Sequence, residues 1–214
     1  ETIQNLVNIL TEVEQRPEIR AVVLQGSEKS FSAGYDIGSG DQDELEMSMS
    51  EWLASMRSYD HLQTIYELDV PVIAAVDGYA LGGGCNTAIV CDLTIVTKRA
   101  ELGYPDVRMG GLPAALVHPF VTNSIKHARE LFYSGKMIDG TEAVRMGLAN
   151  RAVPHDQLME TVREEIEGIR KTPKPIVTIN KHLLNEVMET QGYRPANKQS
   201  QFTATLSVLS DYAS

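Results

Sequence analysis

Apolar residues recur at intervals of three and four along the first stretch of the chain: Ile3, Leu6, Val7, Leu10 and Val13. That spacing puts them on one face of a helix, which the sequence closes at Arg16-Pro17. Ala21-Val22-Val23-Leu24 is then a short unbroken apolar run stopped by Gly26, the pattern of a strand buried on both faces. Residues 30–43 are rich in Gly and Ser and predict a loop. Trp52, Met56, Tyr59, Leu62, Ile65 and Tyr66 draw a second helical stripe, closed near Asp69-Val70-Pro71. Val72-Ile73-Ala74-Ala75-Val76 reads as a second buried strand. Asp77-Gly78 turns the chain, and Leu81-Gly82-Gly83-Gly84 leads into a short helix over 85–91. Residues 93–96 predict a third strand. Beyond Pro105 turns and short helices alternate, with a last strand over 149–153. From Asp156 the pattern is helical, broken at Thr172-Pro173-Lys174-Pro175 and Gly192-Tyr193-Arg194-Pro195. Strands alternating with helices, then helices alone, predict an α/β fold. They also divide the chain into a core over 1–155 and a helical region over 156–214.

Charge narrows the choice of partners. The 214 residues carry 19 Lys plus Arg against 29 Asp plus Glu, a formal net charge of −10. A protein that tracks phosphate backbones or docks on an anionic bilayer presents a basic face. Neither nucleic acid nor a membrane is therefore an expected partner, although a local basic pocket for one anionic ligand is compatible with this balance. No apolar run approaches the ~18 residues of a spanning helix, and no N-terminal signal pattern is visible. The chain begins with Glu1 rather than Met, which reads as a clipped N-terminus. Cys85 and Cys91 lie six apart with no histidine cluster beside them, matching neither a zinc spacing nor a disulfide framework. They predict buried thiols in a reducing interior, cytoplasm or organelle matrix, and no metal site.

Two glycine-bearing loops follow apolar strands: Phe31-Ser32-Ala33-Gly34-Tyr35-Asp36-Ile37 and Gly78-Tyr79-Ala80-Leu81-Gly82-Gly83-Gly84-Cys85-Asn86. Three consecutive glycines where a strand passes into a helix leave peptide N–H groups open to close approach. The start of the helix adds unpaired N–H groups and a partial positive charge. Such a place suits an anion or a developing oxyanion. Glycines at this position also serve tight packing or a turn, and composition alone leaves both readings open. The spacing is not the dinucleotide fingerprint, and no phosphate-loop lysine follows.

The stretch V-I-A-A-V-D-G-Y-A-L-G-G-G-C-N-T-A-I-V-C-D over 72–92 resembles the signature of the crotonase superfamily, the enoyl-CoA hydratase/isomerase family. F-S-A-G-Y-D-I resembles its other hallmark, F-x-A-G-x-D-[LI]. A-E-L-G-Y-P-D-V-R-M-G-G-L-P over 100–113 and S-G-K-M-I-D-G-T-E-A-V-R-M-G-L-A-N-R-A-V-P over 134–154 are similar to further family motifs, in the same order. The family's usual first strand is missing and the C-terminus stops short of its usual end, in keeping with a clipped chain. The resemblance implies a spiral of ββα units capped by C-terminal helices, with buried strands in near-perpendicular sheets. It further implies an acyl-CoA thioester as substrate, coenzyme A entering as part of that substrate and no permanently bound cofactor. It also implies a homotrimer or dimer of trimers, with which the stripe Phe202, Leu206 and Leu209 is compatible.

Carried over residue by residue, the family's oxyanion hole falls on the backbone N–H groups of Tyr35 and Gly83. The main chain of Ala33, Asp36 and Ile37 falls where the family holds the nucleotide half of coenzyme A. Hydratases of the family use two glutamates; here those positions are Asn86 and Asp106. Asp106 keeps a carboxylate, whereas Asn86 hydrogen-bonds but does not exchange a proton near neutral pH. One carboxylate is enough to move a double bond from the 3- to the 2-position, so the expected reaction is enoyl-CoA isomerisation with Asp106 as base. Hydration with Asn86 placing the water is the alternative. A thioester-binding or assembly subunit with little activity is the reading from another class. Tyr35 stands where the family has a small residue, capping the pocket or packing on the surface. The run Pro113-Ala114-Ala115-Leu116-Val117-His118-Pro119 resembles variants in family hydratases of branched substrates. His118 is read as structural, with reach to a reacting group as the minority alternative. His61, His127, His155 and His182 are read as surface or structural. Lys29, Lys174 and Lys181 are candidate cations for coenzyme A, each weighed against an ordinary solvated lysine.

Overall fold

Along most of the chain, successive strands fall alternately in a first sheet and a second. The structure, a computed structural model, describes residues 2–27, 30–34 and 60–209. The first sheet has the order β1 (Val22–Gln25), β3 (Val72–Val76), β5 (Leu93–Thr97), β8 (Arg151–Val153), all parallel. The second has the order β2 (Ser30–Ser32), β4 (Tyr79–Leu81), β6 (Glu101–Gly103), β7 (Met137–Asp139), parallel except for the last pair. Helices follow the strand pairs: α1 (Thr2–Glu14) precedes β1, α2 (Asp60–Glu67) precedes β3, and α3 (Gly83–Val90) joins β4 to β5. A 3₁₀ turn over Pro105–Met109, then α4 (His118–Val121) and α5 (Ile125–Ser134), lead to β7, and α6 (Gly140–Met146) leads to β8. Three helices finish the described chain: α7 (Leu158–Arg170), α8 (Lys174–Thr190) and α9 (Tyr193–Leu209).

Three strands of the first sheet coincide with apolar runs of the sequence, and β8 falls within the strand expected over 149–153. β3 is apolar throughout because it is covered on both faces. Val72, Ala74 and Val76 join a core with α1, α2 and α3 residues, while Ile73 and Ala75 face Leu158 and Val162 of α7. The second sheet corrects the sequence reading, in which 30–43 and 78–84 are loop. Its strands are three residues each, too short to show a period of two.

α3 shows little amphipathicity because Gly84, Cys85, Asn86, Ala88, Ile89 and Val90 are all buried. Ser124 caps α5 by accepting from Lys126, and Asp139 caps α6 by accepting from Glu142 at 2.8 Å. The Asp139 cap gives the 134–154 motif a structural meaning. It sets the turn that returns the chain from β7 in the second sheet to β8 in the first.

Candidate functional site

The second glycine loop is held in place mainly by backbone. The Gly82 N–H donates to the Gly103 carbonyl at 2.9 Å, and the Gly82 carbonyl accepts from Asn86 N–H at 3.1 Å. Gly82 has φ 52° and ψ −119°, left-handed backbone that favours glycine. Gly84 is glycine for a different reason. A Cβ there would lie 2.4 Å from the Ser32 carbonyl oxygen and 2.6 Å from the Ser32 Cβ. Gly34 (φ 96°) closes the contact from the other side, since a Cβ on it would lie 3.6 Å from the Gly83 nitrogen. The two glycine loops, 49 residues apart at Gly34 and Gly83, therefore meet. Gly83 is the first residue of α3, so its N–H has no intrahelical acceptor, and among the described residues no backbone acceptor takes it.

Asp106 lies beside this loop. It is the second residue of the 3₁₀ turn over Pro105–Met109, and its carbonyl accepts from Gly111 N–H at 3.0 Å. A Cβ on Gly82 would stand 3.8 Å from its Oδ2. Its Oδ1 is buried with no hydrogen-bond partner among the described residues, and burial pushes its carboxyl above the ordinary 3.8. Asn86, one turn into α3, is 2% exposed, and its Oδ1 is likewise buried and unpartnered. Two acceptors without donors flank the glycines, where an ordinary interior would have satisfied both.

A buried layer backs the loop. His118 is fully buried, its Nε2 lies 3.8 Å from Cys85 Sγ, and its ring packs edge-on to Tyr104 and Phe132 at centroid distances of 4.8 and 5.0 Å. Desolvation drops its pKa to about 3, so the imidazole is neutral, and pushes the Cys85 thiol up to about 12. His118 thus packs as the structural reading has it. His61 is buried too, at 4% exposure, and its Nε2 lies 2.9 Å from Thr87 Oγ1.

Of the other sequence candidates, Ala33 is exposed just beyond β2, and Tyr35, Asp36, Ile37 and Lys29 lie outside the described residues. Lys174 is half-buried and donates to the Pro17 carbonyl at 3.0 Å. Lys181 is 6% exposed and donates to Asp92 Oδ2 at 2.8 Å and to the Ile65 and Val70 carbonyls at 3.0 and 3.3 Å. It is therefore neither a solvated lysine nor a ligand cation, but an internal fastener that ties α8 to α2 and to the turns leading into β3 and β5. His155 and Arg99 both contact Asp77, which that guanidinium holds well below the usual carboxylate range. His182 faces Asp69 at 3.0 Å. Among the described residues no cluster of three or more His, Cys, Asp or Glu side chains is arranged to hold a metal, and no helix is long and apolar enough to cross a membrane. Thr87 and buried His61 were not picked out by the sequence, because the bond between them crosses from α2 to α3.

The enoyl-CoA hydratase/isomerase family model matches residues 1–212. A protein of Mycobacterium bovis named a probable enoyl-CoA hydratase is 31% identical over 193 residues, 89% of this chain and 73% of its own length. The short-chain-enoyl-CoA hydratase of Clostridium acetobutylicum is 31% identical over 192 residues, 88% of this chain and 72% of its own. The crystal structure of an enoyl-CoA hydratase/isomerase from Xanthobacter autotrophicus superimposes with a TM-score of 0.89 at 25% identity, over 97% of this chain and 77% of that one. With the alternating two-sheet spiral and the meeting of the glycine loops, these matches place the chain in the enoyl-CoA hydratase/isomerase family of the crotonase superfamily of enzymes.

Proposed function

We propose that the chain isomerises 3-enoyl-CoA thioesters to 2-enoyl-CoA with Asp106 as the only base. The thioester oxygen rests on the N–H of Gly83 and, by the family pattern, that of Tyr35. Asp106 takes a proton from C2. The C2–H electron pair moves into the C1–C2 bond and negative charge collects on the thioester oxygen. One such preorganised donor is typically worth about 3–4 kcal/mol of barrier. The same carboxyl then returns its proton to C4 as the C2–C3 double bond forms, so no second acid and no co-reactant is needed. The observation that carries this reading is the Asp106 carboxyl set against Gly82, with one oxygen buried and without a donor. Its burial favours the neutral form and makes the carboxylate a stronger base. The main chain of Ala33, Asp36 and Ile37 would receive the nucleotide half of coenzyme A.

Hydration of 2-enoyl-CoA is the second reading. The relatives' names support it, as does the unpartnered Oδ1 of Asn86, which can accept a hydrogen bond from an attacking water. Purified enzyme is assayed with both substrates. Isomerisation that exceeds hydration and is lost in Asp106→Asn supports the first reading. Hydration that exceeds isomerisation and rises in Asn86→Glu supports the second. Tight acyl-CoA binding with neither activity would favour a thioester-binding subunit.

We assign α7 as a cover for the first sheet and α8 with α9 as the assembly surface of a homotrimer or dimer of trimers. Ile176, Ile179, Leu183, Leu184 and Val187 line α8 at helical spacing and are 47–67% exposed. Light scattering on the purified chain and on an Ile179→Glu/Leu183→Glu variant tests this, the variant being expected as a monomer. A reducing interior is supported by Cys85 and Cys91 being free thiols.

A further inference from the structure

The Gly83 carbonyl is held by a relay that begins on another helix. Thr87 Oγ1 donates to the Gly83 carbonyl at 2.9 Å, and the same oxygen lies 2.9 Å from His61 Nε2. A threonine hydroxyl has one proton. It goes to Gly83, so the Thr87 oxygen must accept from the histidine, which fixes the proton of His61 on Nε2. The direction is therefore His61 N–H to Thr87 O–H to Gly83 C=O. Hydrogen bonds arranged in series strengthen one another, the more so at low local dielectric. His61 is 4% exposed, and Thr87 is half-buried.

From this geometry we infer that His61 and Thr87 are positioning residues for the reaction: their relay locks the Gly83 residue so that its N–H stays aimed at the thioester oxygen. Gly83 needs such a lock. It has no side chain to restrict it, it sits at a helix start, and its predecessor Gly82 has left-handed backbone. The bond fastens the carbonyl side of Gly83, and the Gly82 bonds to Gly103 and Asn86 fasten the other side. The inference rests on the oxyanion role given to Gly83 above.

The test uses Thr87→Val, which keeps shape and β-branching but removes donor and acceptor together, and Thr87→Ser, which restores both. The readouts are kcat and KM with an enoyl-CoA substrate, together with the infrared stretch of the thioester carbonyl of a bound non-reacting acyl-CoA. The expected outcome for Thr87→Val is a loss of about tenfold in kcat with KM changed less than about twofold. The carbonyl stretch should move back toward its value in water, and Thr87→Ser should recover both. His61→Phe should reproduce the loss, with a melting curve to separate unfolding from misplacement. Unchanged kcat, or a kcat loss with an unmoved carbonyl stretch, overturns the relay. A carbonyl stretch that does not shift when acyl-CoA binds the unaltered protein overturns the oxyanion role of Gly83 itself, and the relay with it.

Discussion

Gly84→Ala tests whether the meeting of the two glycine loops matters. The new Cβ would stand 2.4 Å from the Ser32 carbonyl oxygen and 2.6 Å from the Ser32 Cβ, where ordinary contact begins at 3.4 Å. Both neighbours belong to β2 or its backbone, so nothing flexible can swing away. The start of α3 must separate from β2 by about 1 Å. Overpacking of this kind costs roughly 1–3 kcal/mol, which a protein of this size survives at reduced stability. The catalytic consequence is larger. Gly83 moves with α3 while Asp106, on the 3₁₀ turn, does not, and a misplacement of ~1 Å can cost about 10²-fold in rate. Kinetics on enoyl-CoA substrates and a thermal melt should therefore show kcat lowered about a hundredfold in a chain that still folds. Gly168→Ala is the control. It lies in α7 with nothing within 4 Å of a Cβ and should be neutral or stabilising by up to ~1 kcal/mol. If Gly84→Ala keeps kcat within threefold of the parent, the loops need not touch for catalysis, and the site as drawn is wrong.

Other outcomes follow from buried charge. With Asp106 as the proposed base, which must be ionised to act, and its pKa raised by burial, kcat/KM should fall on the acid side with an inflection above 3.8, and the limb should vanish with the activity in Asp106→Asn. The same shift has a stability sign. The folded state holds the Asp106 proton more tightly than the unfolded chain does, so this group costs stability at neutral pH. That cost is relieved as pH falls through the folded pKa. Lys181→Met should destabilise by about 1.5–3 kcal/mol in urea melts, because it removes the buried ammonium from the Ile65 and Val70 carbonyls and leaves the partly exposed Asp92 carboxylate with Val72 N–H at 2.7 Å but no counter-charge. Asp92 is already above its ordinary value by desolvation, so the loss should shrink toward acid pH and be partly recovered by adding Asp92→Asn. A pH-independent loss below ~1 kcal/mol would refute the pairing. Cys85, fully buried and pushed up to about 12, should resist thiol reagents at neutral pH until the chain unfolds.

The sequence by itself determined the first sheet, the glycine triplet and the residue types at the proposed reacting positions. The apolar runs at 72–76 and 93–96 became the central parallel strands because strands buried on both faces cannot hide their composition, and the half-buried strands at 22–25 and 151–153 flank them. Helical periodicity likewise placed α1, the end of α2 and the helices beyond 156. The second sheet stayed hidden in what looked like loops, since three-residue strands carry no period and are fixed by pairing with neighbours far along the chain. Asp106 and Asn86 were identified by resemblance. Only the tertiary structure set Asp106 against Gly82 and left the Oδ1 of both Asp106 and Asn86 buried without a donor. The same holds for Lys181, which reads as any charged residue on a helix until α8 carries its ammonium to Asp92 and two carbonyls. His61 and Thr87 have no local pattern, because a hydrogen bond between two helices is a fact of packing. Periodicity records which face of an element is buried, and only the folded chain decides what that face meets.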